Sequence, residues 1–209
     1  MYNHLLKKAS KFQTKPYKMN SLFKSCKVFL LLILIQQTAT AQADHIGEIK
    51  ALQAHPRILM LKGEEANIQL SISKDSVWAN TQQAIINESD RLISIAPVQR
   101  IQIGRRLLDK SREALRRLFF LSYAYRTTAD KKYLNRAEKE MLAIAGFSDW
   151  NPSHFLDVAE MTMAVAIGYD WLYNDLSDAS KSIIKEAILK KGLEPSMESK
   201  YNGWLKAEH

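Results

Sequence analysis

From Glu64 onward apolar side chains return every three or four positions, the spacing that lines one face of an α-helix, and no stretch alternates with period two between turn residues. The pattern predicts an all-α body. Gly63-Glu64-Glu65 opens a first helix with acids at its positive end. A second, marked by Val77, Trp78, Ile85, Ile86, Leu92 and Ile93, is expected to end before Pro97. The third is expected from about Val98 to Arg126, with Leu107, Leu108, Leu115, Leu118, Phe119 and Ser122 turned inward and a strongly basic side opposite. Thr128-Ala129-Asp130 breaks the pattern, and Tyr133, Leu134, Ala137, Met141, Leu142 and Ala145 predict a fourth helix stopped at Gly146. Asn151-Pro152 reads as the start of the fifth, an N-cap residue followed by proline at the first helical position. Its middle, Met161 to Tyr169, is apolar all round, which predicts a helix enclosed by neighbours. Ser177 caps a sixth helix carrying Ile183, Ile184, Ala187 and Ile188, expected to end at Lys190-Lys191-Gly192. Short links favour antiparallel neighbours, and the alternation of an apolar helix with amphipathic ones suggests an inner and an outer layer. The pairs run roughly 45 residues, a length that suits a stacked solenoid or a closed ring.

The first 43 residues have a different character. An apolar run at 28–35, Val-Phe-Leu-Leu-Leu-Ile-Leu-Ile, follows lysines and precedes small residues with two Ala-x-Ala triplets at 39–43. That is the layout of a secretory signal peptide. Eight apolar residues fall short of the roughly 20 a membrane-spanning helix needs, so the expectation is export to the periplasm or the exterior without a stable membrane anchor. The mature body is then 44–209, and Met19 offers an alternative start. Cys26 is the sole cysteine and lies in this leader, leaving no thiol for a disulfide, a thiolate metal site or a nucleophile.

Charge adds less than the total suggests. The chain carries 30 Lys+Arg against 22 Asp+Glu, a formal +8, but seven lysines and no acid fall within 1–43. From Asp44 onward bases and acids nearly balance, 23 to 22, once those seven are taken from the thirty. A nucleic-acid-binding domain carries its excess on the folded part, so no nucleic-acid partner is expected. No Gly-x-Gly-x-x-Gly, Walker-type loop or Gly-x-Ser-x-Gly occurs, which removes the usual support for nucleotide or serine-hydrolase chemistry.

Three constellations remain. His154, Asp157 and Glu160, spaced i, i+3 and i+6, suit an acid/base pair, a carbohydrate contact or part of a metal site; a helix start with favourable acids explains them equally. The His-x-x-x-His pair of zinc proteases is absent, so no metal and no cofactor are expected. Trp150, in a loop with Asp149 and Asn151, suits a sugar-stacking wall or a core position, whereas Tyr169, Trp171 and Tyr173 read first as core. Arg105, Arg106, Arg112, Arg116 and Arg117 can grip an anionic polymer, but Asp109 and Glu113 stand at pairing distance from Arg112, Arg116 and Arg117, the pattern of an ordinary solvated face.

Several stretches resemble the N-terminal part of heparinase II/III-type polysaccharide lyases. They are His55-Pro56-Arg57-Ile58-Leu59, the basic stretch 105–117, Phe147-Ser148-Asp149-Trp150-Asn151-Pro152-Ser153-His154-Phe155-Leu156-Asp157 with its continuation to Met161, and Gly168-Tyr169-Asp170-Trp171-Leu172-Tyr173. The resemblance spans nearly all of 50–209. It implies an incomplete α/α toroid of antiparallel helix pairs, with a cleft across one end for an acidic polysaccharide. The implied chemistry is β-elimination at a uronic acid: donors offset the carboxylate charge, a Tyr or His removes the C5 proton, and the leaving O4 is protonated. Trp204 to His209 is similar to the beginning of a family segment that continues Asn-Trp-Asn, so the sequence resembles a fragment whose later tyrosine and histidine are missing. His209 is the implied catalytic residue, and Trp150, His154 and Glu160 are the expected cleft wall. The alternatives are a catalytically silent carbohydrate-binding or scaffold domain and an α/α-barrel glycoside hydrolase, the latter needing two carboxylates across a cleft.

Overall fold

A computed structural model describes residues 53–201 and 203. The signal-peptide expectation, the start of the mature body and His209 lie outside the described residues.

The described residues are all-α. Helices α1 (Glu64–Lys74), α2 (Ser76–Ile93), α3 (Leu108–Thr128), α4 (Lys131–Ala145), α5 (Phe155–Leu172) and α6 (Asp178–Ala187) follow in order. A π-helical stretch (Ile188–Leu193) and the one-turn α7 (Glu194–Met197) complete them. Three starts are fixed by side-chain caps that satisfy otherwise orphaned amides: Asp75 accepts from Val77 N–H, Asp130 from Lys132 N–H and Ser177 from Ser180 N–H.

The helices form two layers. Contacts between α3 and α5 keep a nearly constant offset along the chain, Leu107 with Asp157, Ser111 with Glu160 and Phe119 with Trp171, so these two helices run parallel. The two-residue link Ala129-Asp130 turns α4 back against α3, and α2 also opposes α3, with Gln82 on Tyr123 and Glu88 on Arg116. In the second layer α4 packs on both α2 and α6. Between the layers lie Leu118, Leu121, Met141, Ile144, Met161 and Val165, all fully buried. Removing such surface from water supplies the main favourable term in folding.

Buried charge ties the layers as well. Glu140 of α4 is inaccessible and receives Val98 N–H at 2.8 Å, while Arg136 Nη1 lies 2.6 Å away and Arg117 Nη1 3.5 Å away. Arg117 also donates to the Ala96 carbonyl at 2.7 Å, so a residue of the supposedly solvated basic side is buried with partners.

Four expectations are corrected. The third helix starts at Leu108, because 98–107 is an extended segment pinned by Glu140 at Val98 and turned back at Gly104, φ +59°, where Ile103 and Arg106 exchange both backbone hydrogen bonds. The fifth helix starts at Phe155: Asn151 adopts a left-handed φ of +61° and is spent on bonds across the fold, leaving His154 at the N-cap position. The sixth does not stop at Gly192; the chain continues as the wider π-helical stretch, where a side chain at Gly192 would meet Thr162 Oγ1 at 2.6 Å and Trp150 Cζ3 at 3.2 Å. Finally, α5 is enclosed less completely than its apolar middle predicts, although within 161–169 only Met163 is exposed. Leu156, Ala159 and Met163, three and four residues apart, form an exposed stripe on the side away from α3.

Candidate functional site

The polar residues gather at the N-terminal ends of the parallel helices α3 and α5, where the segment 98–107 meets the loop 146–154. Arg100 bridges them, its Nη2 donating to Asp149 Oδ1 at 2.6 Å and its Nε to the Asp149 carbonyl at 3.2 Å. Asp149 Oδ1 also accepts Asn151 N–H at 2.7 Å. Burial alone would raise the Asp149 carboxyl, but the bonds from Arg100 and Asn151 outweigh it and hold the group below the usual carboxylate range. Asn151, buried, sends its amide to the Arg105 carbonyl at 2.8 Å and to Asp157 Oδ2 at 2.6 Å. Its left-handed backbone is one asparagine tolerates better than most residues.

Asp157 is the hub of this arrangement. It is 0% exposed, and Oδ2 also takes Leu107 N–H at 2.6 Å, fixing the start of α3 to α5. Its other oxygen lies 3.0 Å from His154 Nδ1. A carboxylate there accepts from the tautomer that carries its hydrogen on Nδ1, and the contact through Nδ1 turns Nε2 away from Asp157. The His154 side chain is 16% exposed. The arrangement holds one oriented imidazole beside a rigid loop end, which suits a proton-handling or ligand-contacting group.

Glu160 lies one turn inward. It accepts from Arg112 Nε at 3.2 Å and lies 3.4 Å from Ser111 Oγ, so Arg112 pairs with Glu160 and not with the expected Asp109. Arg116 and Arg117 do pair with Glu113, at 2.8 and 2.7 Å. Glu160 also borders a cavity of about 630 Å³ whose wall is otherwise formed mainly by Ile85, Leu115, Phe119, Tyr123 and Trp171. Beyond the last three residues a second cavity of about 440 Å³ continues toward Leu59, Met60 and Trp78. These walls are largely hydrocarbon and aromatic, and a hydroxyl-rich sugar placed there would exchange water for few partners.

Trp150 does not belong to a cleft wall. It is 0% exposed, donates its indole N–H to the Ile144 carbonyl at 3.2 Å, and packs where Gly192 leaves room for its ring. The expectation that it stacks on a ligand is corrected: its loop turns it into the core between α4, α5 and the π-helical stretch.

Sequence reasoning missed several members. Arg100, Asn151 and Lys191 act over 40 residues or more, and only the Asp149/Asn151 pair around Trp150 hinted at them. Lys191 donates to the carbonyls of Ala145 and Phe147 at the end of α4, and burial pushes its ammonium below the usual lysine range. A second histidine site, built on the His55-Pro56 stretch, lies at the other end of α5. His55 Nδ1 lies 2.6 Å from Asp170 Oδ1, and its ring stacks on Tyr173 at 3.9 Å. Among the described residues no group of three or more His, Cys, Asp or Glu side chains is placed to hold a metal, and no helix is long and apolar enough to cross a membrane.

Compared with models of known protein families and with curated proteins, the chain matches none.

Proposed function

We propose that this chain is the N-terminal helical region of an exported polysaccharide lyase of heparinase II/III type, acting by β-elimination on uronic-acid-containing glycans, and that its helices form one arc of an α/α toroid. The observation that carries the reading is the use made of its most family-like stretch, 147–161. Asp149, Asn151, His154 and Asp157 form one hydrogen-bonded bracket with the 98–107 segment, at a single end of the parallel helices. A cleft across that end would have a rigid rim, exposed cations and an oriented imidazole. The exposed stripe Leu156, Ala159 and Met163 supports the arc, since it is the face a further parallel helix would cover. In this reading His154 and Glu160 line the approach to the cleft, and His209 takes the charge-neutralising or proton-handling role.

A second reading, a silent glycan-binding or scaffold domain, is favoured by where the tyrosines lie. Tyr123 and Tyr133 give their hydroxyls to Gln82 and Asp90, while Tyr169 and Tyr173 stand with His55 at the opposite end of α5 from His154. No tyrosine among the described residues bonds to His154.

One assay separates the two. The chain is incubated with heparin, heparan sulfate, chondroitin sulfate and alginate while far-ultraviolet absorbance of the unsaturated product is followed. New absorbance supports the lyase. Binding without product supports the silent domain, and reducing ends without new absorbance would replace both with a hydrolase.

A further inference from the structure

We propose that the hairpin at 101–106 is the anion-reading element of this end, with Arg105 and Arg106 receiving sulfate or carboxylate groups of the glycan. The inference rests on the acidic-glycan reading above and adds which residues hold the polymer.

The first ground is what these two side chains lack. Every other arginine of the described residues has its guanidinium on a carboxylate or, for Arg57, on a backbone carbonyl. Among the described residues Arg105 and Arg106 have neither an acid partner nor a side-chain hydrogen bond, and both are exposed. Two adjacent cations on one turn without an acid partner among the described residues leave positive charge uncompensated, and an arriving anion offsets it. A guanidinium fork also matches the paired oxygens of a sulfate or carboxylate, which a point charge does not.

The second ground is that the backbone beneath them is already fixed. Ile103 and Arg106 exchange hydrogen bonds of 2.9 and 3.2 Å, Asn151 holds the Arg105 carbonyl, and Asp157 holds Leu107 N–H directly behind. Placing the two cations on a braced hairpin lowers the ordering cost that binding otherwise incurs. Ile103, 67% exposed, adds hydrocarbon beside the charges, a surface for the C–H face of a sugar ring. His154 borders the same loops, so a polymer held by the hairpin passes the imidazole.

The test is calorimetric binding by the full 209-residue chain to heparin, fully desulfated heparin and alginate across a salt series. It compares wild type, Arg105→Ala/Arg106→Ala, Arg105→Lys/Arg106→Lys, and the distant control Lys185→Ala. The double alanine variant is expected to bind at least about tenfold more weakly and with a shallower salt dependence, because about two counterion-releasing contacts are gone. The double lysine variant is expected to regain the salt slope without the full affinity, since charge returns and the forks do not. Weakening confined to heparin identifies sulfate as the anion read, whereas equal weakening on all three polymers identifies carboxylate. Helical circular dichroism is expected to be unchanged, as neither side chain holds the fold together. Glycan binding undiminished in the double alanine variant overturns the hairpin proposal and leaves the glycan reading standing. Failure of the wild type to bind any of the three removes that reading and the hairpin with it, as does binding to anionic lipid vesicles in place of glycans.

Discussion

Helix α5 uses the same device at both ends, about 20 Å apart along its axis. At the N-terminal end buried Asp157 accepts the Leu107 amide and faces His154. At the C-terminal end buried Asp170 accepts the Arg57 and Ile58 amides, at 2.7 and 3.1 Å, and faces His55. In each case a carboxylate recruits a distant segment by its backbone and orients an imidazole. What surrounds the imidazole differs. His55 is stacked on Tyr173 with Tyr169 edge-on and Asn174 bonded to its carbonyl, and its segment, the strap 55–58, is locked again by Trp171 N–H on the Ile58 carbonyl. His154 has no ring stacked on it among the described residues and adjoins the braced loop, whose Asn151 holds the Arg105 carbonyl of the hairpin. A His–Asp pair alone therefore does not mark a site; what surrounds it does.

Removing the carboxylates gives the largest expected effects. Asp157→Ala strands the Leu107 amide, the Asn151 amide and His154 between two core helices, and is expected to cost about 3–5 kcal/mol. Asp170→Ala strands two amides and His55 at the edge, for about 2–3 kcal/mol. Urea denaturation measures both. The variants should also differ in kind: Asp170→Ala frees the strap, so trypsin should cut after Arg57 faster while α3 and α5 stay protected, whereas Asp157→Ala should loosen the molecule as a whole. Equal costs with equal tryptic patterns would mean the two ends are not distinct.

The histidines come next. His55→Ala loses an aromatic stack and a charge-assisted bond and is expected to cost about 1–2 kcal/mol. His154→Ala, with a side chain 16% exposed against 14% for His55, loses the bond to buried Asp157 but no aromatic stack; it is expected to cost about 1 kcal/mol and to change glycan binding or turnover as well. A His154→Ala variant that loses stability and keeps all glycan binding would assign that end a structural role only.

This contrast also explains what could be read from the sequence. Periodicity found each long helix, because the apolar stripes of α2 to α6 are local facts, and the cap at Ser177 is written within three residues; Asp130 read only as a break, although it caps α4 in the same local way. The start of α3 was hidden because Val98, Ile101 and Ile103 carry an apolar pattern into an extended segment whose course is set by Glu140, some 40 residues on. Trp150 looked available because its neighbours are polar; the space that takes its ring is made by Gly192. Arg117 looked like surface charge until Glu140 and the Ala96 carbonyl gave it buried partners. His154 and Glu160 were legible as a spaced pair, but the bracket around them joins residues about 50 positions apart.

The smallest expected effect is also the most local. Arg100 and the Asn151 amide, outweighing burial, hold the Asp149 carboxyl low, so the stability it lends is present above the ordinary carboxylate pKa of about 3.9 and is lost as pH falls through the depressed value. Burial, with Tyr173 beside it, raises the Tyr169 hydroxyl. Its contribution is therefore intact below about pH 10 and is lost as pH rises through the raised value. The N-terminal end should thus carry an acid-sensitive fastening and the C-terminal end an alkali-sensitive one. Trp150 and Trp171 stand at the two ends, so 5-fluorotryptophan resonances read them separately. The part of the acid response abolished by Asp149→Asn should appear at Trp150 and not at Trp171, and the part of the alkaline response abolished by Tyr169→Phe should show the reverse. Glu88 is held down to about 2 by Arg91 and then Arg116, so the pairing of α2 with α3 that it provides is lost only as pH falls through that value. If both indoles shift together in both limbs, the ends are coupled through α5, and a ligand at one would be felt at the other.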